Sequence, residues 1–152
     1  MNRITSVYNW RVILAIDLGQ KTTGLAISEG QLSTPYATIK HQSPKEALAK
    51  ISQICDELKV DKVVVGFVEG KIRKIFENFV NNLRRTKPQI EVVLWDETLT
   101  SRQARETMIK LQIPKTKRQK KEHEVAAAII LQSYLDSIWL KEFSRLSKPG
   151  SF

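Results

Sequence analysis

Cysteine is nearly absent from the chain: Cys55 is the only one in 152 residues. No intrachain disulfide is therefore available, and no zinc site could be built from cysteines. Cys55 falls among apolar helix positions and reads as a small core side chain. Long hydrophobic runs are also missing. No segment approaches the ~18 apolar residues of a membrane-spanning helix. The run Val12 to Ile16 is too short for a signal-peptide core, and it closes on Asp17 rather than on a small-residue cleavage site. These absences predict a cytoplasmic protein with no membrane partner. Acidic residues are in the minority. Sixteen Asp and Glu face twenty-five Lys and Arg, giving a net charge of +9 and a pI near 9.8. A field of that sign favours polyanions, of which nucleic acid is the commonest. A merely solvated basic surface would give the same count.

What is present suits one domain with one core: hydrophobic residues make up 41% and charged residues 27% of the chain. Arg11 to Asp17 is a β-branched and aliphatic run that predicts a central strand. Gly19 marks a turn, Thr22 to Ser28 a second strand, and Thr34 to Lys40 a third. Pro35 predicts an edge or an irregularity near the start of that third strand. Short connections among the three suggest an antiparallel meander. Ser43-Pro44-Lys45-Glu46 then opens a helix, with Ser at the N-cap and Pro at the first helical position. Asp61 to Phe67 is a buried strand. Ile72, Ile75, Phe76, Phe79, Val80 and Leu83 form an apolar helical stripe. Glu91 to Trp95 is a fifth strand, and Thr100 begins a helix that Pro114 ends.

Between Lys115 and Lys121 five of seven residues are basic and none is apolar, so this stretch cannot pack into a core. A long helix is expected from about Glu122 to Trp139. Its first half, Val125 to Leu131, is apolar on nearly every side and needs covering neighbours. The polar stretch 141–152 is expected to be a flexible tail after a single domain over 1–140. The fold class is therefore α/β: a mixed five-stranded sheet, three antiparallel strands followed by helix-linked parallel strands, flanked by helices.

Several acids stand where chemistry could occur. Asp17 ends a central strand next to Gly19, so its carboxylate would face a cleft edge. An Asp that only caps the turn would look the same. Asp96 and Glu97 end the fifth strand. Adjacent strand residues point to opposite faces, so at most one of them meets Asp17. Glu69 follows the fourth strand and precedes a helix, where an acid also complements the helix dipole. Glu122, His123 and Glu124 open the last helix, and a rotation of about 100° per residue lets only one or two of them reach a given site. Carboxylates gathered from separate elements are what Mg2+ or Mn2+ needs, and phosphodiester cleavage commonly uses two such ions ~4 Å apart. Lys115, Lys117, Arg118, Lys120 and Lys121, directly before the acidic cluster, could hold a phosphate backbone. Lys21, in the turn after Asp17, joins them as a candidate contact.

Ile16-Asp17-Leu18-Gly19 with Gly24-Leu25-Ala26-Ile27-Ser28, then Val64-Val65-Gly66, then Asp96-Glu97-Thr98-Leu99-Thr100-Ser101, and finally Ala126 to Leu135 (AAAIILQSYL) together resemble the YqgF/RuvX family of pre-16S rRNA nucleases, or Holliday junction resolvase-like proteins. The resemblance covers about residues 11 to 137 in the family's order. It implies a ribonuclease H-like fold, a divalent metal, and maturation of the 5′ end of 16S rRNA or cleavage of branched DNA. It carries the first-strand acid onto Asp17. It carries the acid of the Asp-Glu-Arg-Leu motif onto Glu97, with Thr98 where Arg is usual.

Two departures from the family pattern stand out. Gly66-Phe67-Val68-Glu69-Gly70 replaces Gly-Leu-Pro and its longer loop, which makes Glu69 a further candidate ligand. The family's last-helix Asp aligns with His123. Either the imidazole serves as a ligand, with Glu124 or Glu122 in reach, or the site is impaired and the protein works as a nucleic-acid-binding ribosome-biogenesis factor. Nitrogen ligands suit Mn2+ better than Mg2+. The segment Asp17-Leu18-Gly19 with Thr22-Thr23-Gly24 also resembles the phosphate loop of actin-like ATPases and sugar kinases, but those need two lobes, and 152 residues supply one. Junction cleavage normally wants two sites in a dimer. No apolar stripe declares one, although Trp139 and Leu140 could contribute, so both monomer and homodimer stay open.

Overall fold

The computed structural model describes residues 12–67, 73–96 and 115–146, with backbone alone for 115–120. Five strands form one sheet: β1 (Ile13–Leu18), β2 (Thr22–Ser28), β3 (Thr34–Lys40), β4 (Lys62–Phe67) and β5 (Glu91–Asp96). Their spatial order is β3-β2-β1-β4-β5. β1 pairs antiparallel with β2, and β2 with β3. β1 and β4 are parallel, as are β4 and β5. The described residues include three helices, α1 (Pro44–Glu57), α2 (Arg73–Thr86) and α3 (Lys115–Leu146). The helix expected from Thr100 lies outside the described residues. Among the described residues no helix is long and apolar enough to cross a membrane.

Alternation along the strands sorts the core into two layers. Leu14, Ile16, Leu25, Val63, Val65 and Val92 face α1 and α2, where Ile51, Phe76, Phe79, Val80 and Leu83 meet them. Ala15, Ala26 and Val64 face α3, against Ala127, Ala128, Ile130, Leu131 and Tyr134. β1 is covered on both sides, which is why it reads as a continuous apolar run. The second layer is thin. Alanines on both sheet and helix bring α3 close to the sheet over β2 and β1.

Local signals land where expected. Ser43 caps α1 in extended conformation, its hydroxyl accepting from the Glu46 N–H at 3.1 Å, with Pro44 at the helix start. Pro35 lies in the edge strand β3, and the β2–β3 register shifts between Leu25 and Ala26, opposite it. In α2 the stripe is Phe76, Phe79, Val80 and Leu83, while Ile75 is exposed.

The last helix corrects two boundaries. It starts at Lys115 rather than near Glu122, and it ends at Leu146 rather than near Trp139. The basic run is therefore helical, and six residues assigned to the tail, 141–146, extend the helix. Lys, Arg, Gln, Glu and Leu are strong helix formers, and no Gly or Pro interrupts the chain between Pro114 and Pro149. Glu142 and Arg145 pair one turn apart at 3.2 Å in the extension. Residues 147–152 lie outside the described residues.

His41, just after β3, is 3% exposed. Its Nε2 lies 2.8 Å from the buried Thr23 hydroxyl, and its backbone N–H donates to the Lys21 carbonyl at 2.9 Å. Burial lowers its pKa from the ordinary 6.5, against the nearby Glu46 charge and with that of Lys50. Because the folded value is the lower one, the unfolded chain takes up the proton first as pH falls. Stability from neutral His41 is complete above 6.5 and is lost as pH falls through the lowered value. Melting curves between about pH 8 and 5 are expected to show a larger acid loss for the native chain than for His41→Gln. Equal losses would assign the acid sensitivity elsewhere.

Candidate active site

Asp17 follows Ala15 in the alternation of β1, so its side chain faces α3, near the end of the strand. It is 7% exposed. A carboxylate buried to that degree needs a partner, and His123 supplies it: Nδ1 stands 3.0 Å from Asp17 Oδ2. With the carboxylate accepting, Nδ1 carries the proton of this bond.

The strand register sets Asp17 in a transverse line across the sheet. Thr38 of β3 is opposite Gly24 of β2, Gly24 is opposite Asp17, Asp17 is opposite Gly66 of β4, and Gly66 is opposite Trp95 of β5. Asp17 thus has a glycine on each side. At Gly24 the reason is steric: a Cβ there would run into the His123 carbonyl and approach the Glu124 nitrogen to 2.6 Å. Glycine inside a strand marks a close approach of another backbone, and here the approach delivers His123 to Asp17.

β1, β4 and β5 run parallel, so Asp17, Gly66 and Trp95 share the carboxyl edge of the sheet. α3 crosses from this edge to the opposite one, where the Ser33 hydroxyl donates to the Ala128 carbonyl at 2.6 Å and the Ser33 backbone N–H donates to the Gln132 side-chain amide oxygen at 3.1 Å. The amino-terminal turns of α3, with Lys115, Lys117, Arg118, Lys120 and Lys121, therefore extend past the carboxyl edge beside Asp17. Lys121 is exposed, and so is Lys21 in the turn after β1. The side chains at 115–120 lie outside the description.

Of the sequence-read candidates, Asp17 and His123 are brought together. Glu124 is not brought to Asp17. Its Oε2 accepts from the Thr38 hydroxyl at 3.2 Å, over the edge strand β3, because one residue along a helix turns the side chain through about 100°. Asp96 shares the face of Val92 and Leu94, opposite to that of Asp17. Glu97 and Glu69 lie outside the described residues. Among the described residues no group of three or more His, Cys, Asp and Glu is placed to hold a metal. A carboxylate and an imidazole suit Mn2+ well and Mg2+ in part, and a metal held between them would displace the proton they share. Sequence reasoning passed over Thr38, Trp95 and the contact role of Gly24. Glycine within an apolar strand was the one signal that could have pointed to the last.

The sequence pattern of the RuvX family, described as Holliday junction resolvase, matches residues 11–137. The chain belongs to this family. RuvX relatives among curated proteins include one from Clostridium tetani named "Putative pre-16S rRNA nuclease", 35% identical over 136 residues, covering 85% of this chain and 99% of that protein. One of the same name from Thermoanaerobacter pseudethanolicus is 36% identical over 134 residues, covering 82% and 96%. Solved structures give the fold. Fowlpox virus resolvase bound to Holliday junction DNA aligns with TM-score 0.57 at 16% identity, covering 84% of this chain and 98% of that one. T. thermophilus RuvC with a junction substrate aligns at 0.55 and 10% identity, covering 88% and 97%. The RuvX chain thus has the ribonuclease H-like fold that the family resemblance implies.

Proposed function

We propose that this RuvX protein is a cytoplasmic, metal-dependent endonuclease for structured nucleic acid, with the 5′ end of pre-16S rRNA as its leading substrate and branched DNA as the next. The observation that carries the reading is a nearly buried Asp17 at the carboxyl edge of the central strand, held by His123. The names of its relatives and the substrates bound to its structural neighbours point the same way.

In this reading Asp17 is the first metal ligand. Glu97 is the second, since Asp96 faces the other layer. His123 would join it as a ligand once the metal takes the place of the proton that the two side chains share. Glu69 is a further candidate. When bound, Mg2+ or Mn2+ supplies an activated water and neutralises charge at the leaving oxygen. The chain's own residues do the rest. Lys21 and the basic turn Lys115–Lys121 draw in the phosphate backbone and fix its register, and the buried setting of Asp17 limits water at the reacting phosphate.

A second reading has an observation of its own. His123, which the resemblance aligns with the family's last-helix Asp, occupies an oxygen of Asp17. That favours a ribosome-biogenesis factor that binds nucleic acid without cutting it. Cleavage of labelled pre-16S rRNA 5′ segments, single-stranded RNA and a four-way DNA junction, each in Mg2+, Mn2+ and EDTA, separates the two. Metal-dependent cutting is expected. Binding in EDTA with no cutting in either metal would leave the second reading.

A further inference from the structure

Among the described residues, the line through Asp17 is closed on one side and open in side-chain terms on the other. Toward β3, α3 lies on it: the His123 backbone sits against Gly24, and Glu124 is bonded to Thr38. Toward β5, Gly66 contributes no side chain, and the next residue in the line is Trp95. Two strand spacings, about 10 Å, separate Asp17 from Trp95, enough for one sugar and base. Trp95 is only half-buried. Its ring is nonetheless fixed: Nε1 donates to the Ser133 hydroxyl at 3.3 Å, and the ring meets Tyr134 edge to face at 5.4 Å between centroids and 85° between planes. A rigid, part-exposed indole at the open end of a catalytic line is a stacking surface placed at little entropic cost.

We infer that Trp95 is a nucleotide-contacting residue: the sugar and base next to the reacting phosphate lie over Gly66, with the base against the Trp95 ring. The inference rests on the nuclease reading and adds to it the side from which the strand enters. Stacking on an indole is open to every base but needs the base unpaired. The site therefore prefers a single-stranded or branched segment to continuous duplex.

The test is binding of a short fluorescein-labelled single-stranded RNA in EDTA, followed by anisotropy. Trp95→Ala is expected to weaken binding about tenfold or more, while Trp95→Phe, which keeps a stacking face and loses the bond to Ser133, stays within about threefold of the native chain. The slope of affinity against salt is unchanged in both, because stacking neutralises no phosphate. A residue that only supports α3 would lower the melting temperature in both variants without this split. A second measurement does not depend on how Trp95→Ala folds. In the chain carrying Trp10→Phe and Trp139→Phe, where Trp95 is the remaining indole, added RNA is expected to quench its fluorescence, and matched duplex to quench it less. Native-like binding by Trp95→Ala, or no quenching on saturation with RNA, overturns the inference while leaving the nuclease reading in place. Failure of the native chain to bind any nucleic acid strikes at the nuclease reading itself.

Discussion

Asp17→Asn is expected to abolish cleavage and leave the fold intact. The carboxylate is the one acid that the central strand delivers to the carboxyl edge with its side chain facing α3, and its charge cannot be replaced by a neighbour on the described strands. Losing several kcal/mol of charge stabilisation at the reacting phosphate corresponds to a rate loss of about a thousandfold or more. The fold survives because Asn has nearly the same shape and its amide oxygen can still accept from His123 Nδ1–H. The cost is a charge-assisted bond exchanged for a neutral one, about 1 kcal/mol. Rate measured on whichever substrate the native chain cuts, beside a melting curve, checks both halves. Full activity in the variant would remove Asp17 from the site. Lost activity with a collapsed melting temperature would make it a structural residue.

His123→Asp is the second large effect, and it appears first in stability. The change sets a carboxylate where an imidazole now bonds Asp17 at 3.0 Å. Two carboxylates at that distance cannot both be charged without a cation between them. In EDTA the variant is expected to lose about 2 kcal/mol, or about 4–8 °C of melting temperature for a domain of this size. Adding Mg2+ should recover most of that loss, whereas the native chain, with a nitrogen donor in that place, should respond more to Mn2+ than to Mg2+. Cleavage supported by Mg2+ should rise relative to cleavage supported by Mn2+. A variant as stable as the native chain in EDTA, and indifferent to Mg2+, would mean that the Asp17–His123 contact carries no energetic weight.

The strand pattern was the most legible part of the molecule. β1, β4 and the meander β1–β3 follow from apolar runs bounded by Gly and Asp, and Ser43-Pro44 announces α1 by its capping chemistry. The limits of α3 were harder to read. A stretch of Lys, Arg and Gln looks like a loop when hydrophobic periodicity is the guide, yet the same residues propagate a helix readily once α3 is anchored on the sheet. The site divides in the same way. Asp17 could be found from its place at the end of a strand. The meeting of Asp17 with His123, 106 positions apart, depends on how closely α3 approaches β2, and Gly24 decides that. The direction of Glu124 toward Thr38 likewise depends on helix rotation over the sheet, which no local pattern encodes.

Titration of Mn2+ into the native chain and into Asp17→Asn, followed by calorimetry and by the loss of the free-ion paramagnetic signal, tests the central claim without any choice of substrate. The account predicts saturable binding in the native chain that Asp17→Asn loses. Equal binding by the two proteins, or no binding by the native chain, would contradict a metal centre built on Asp17.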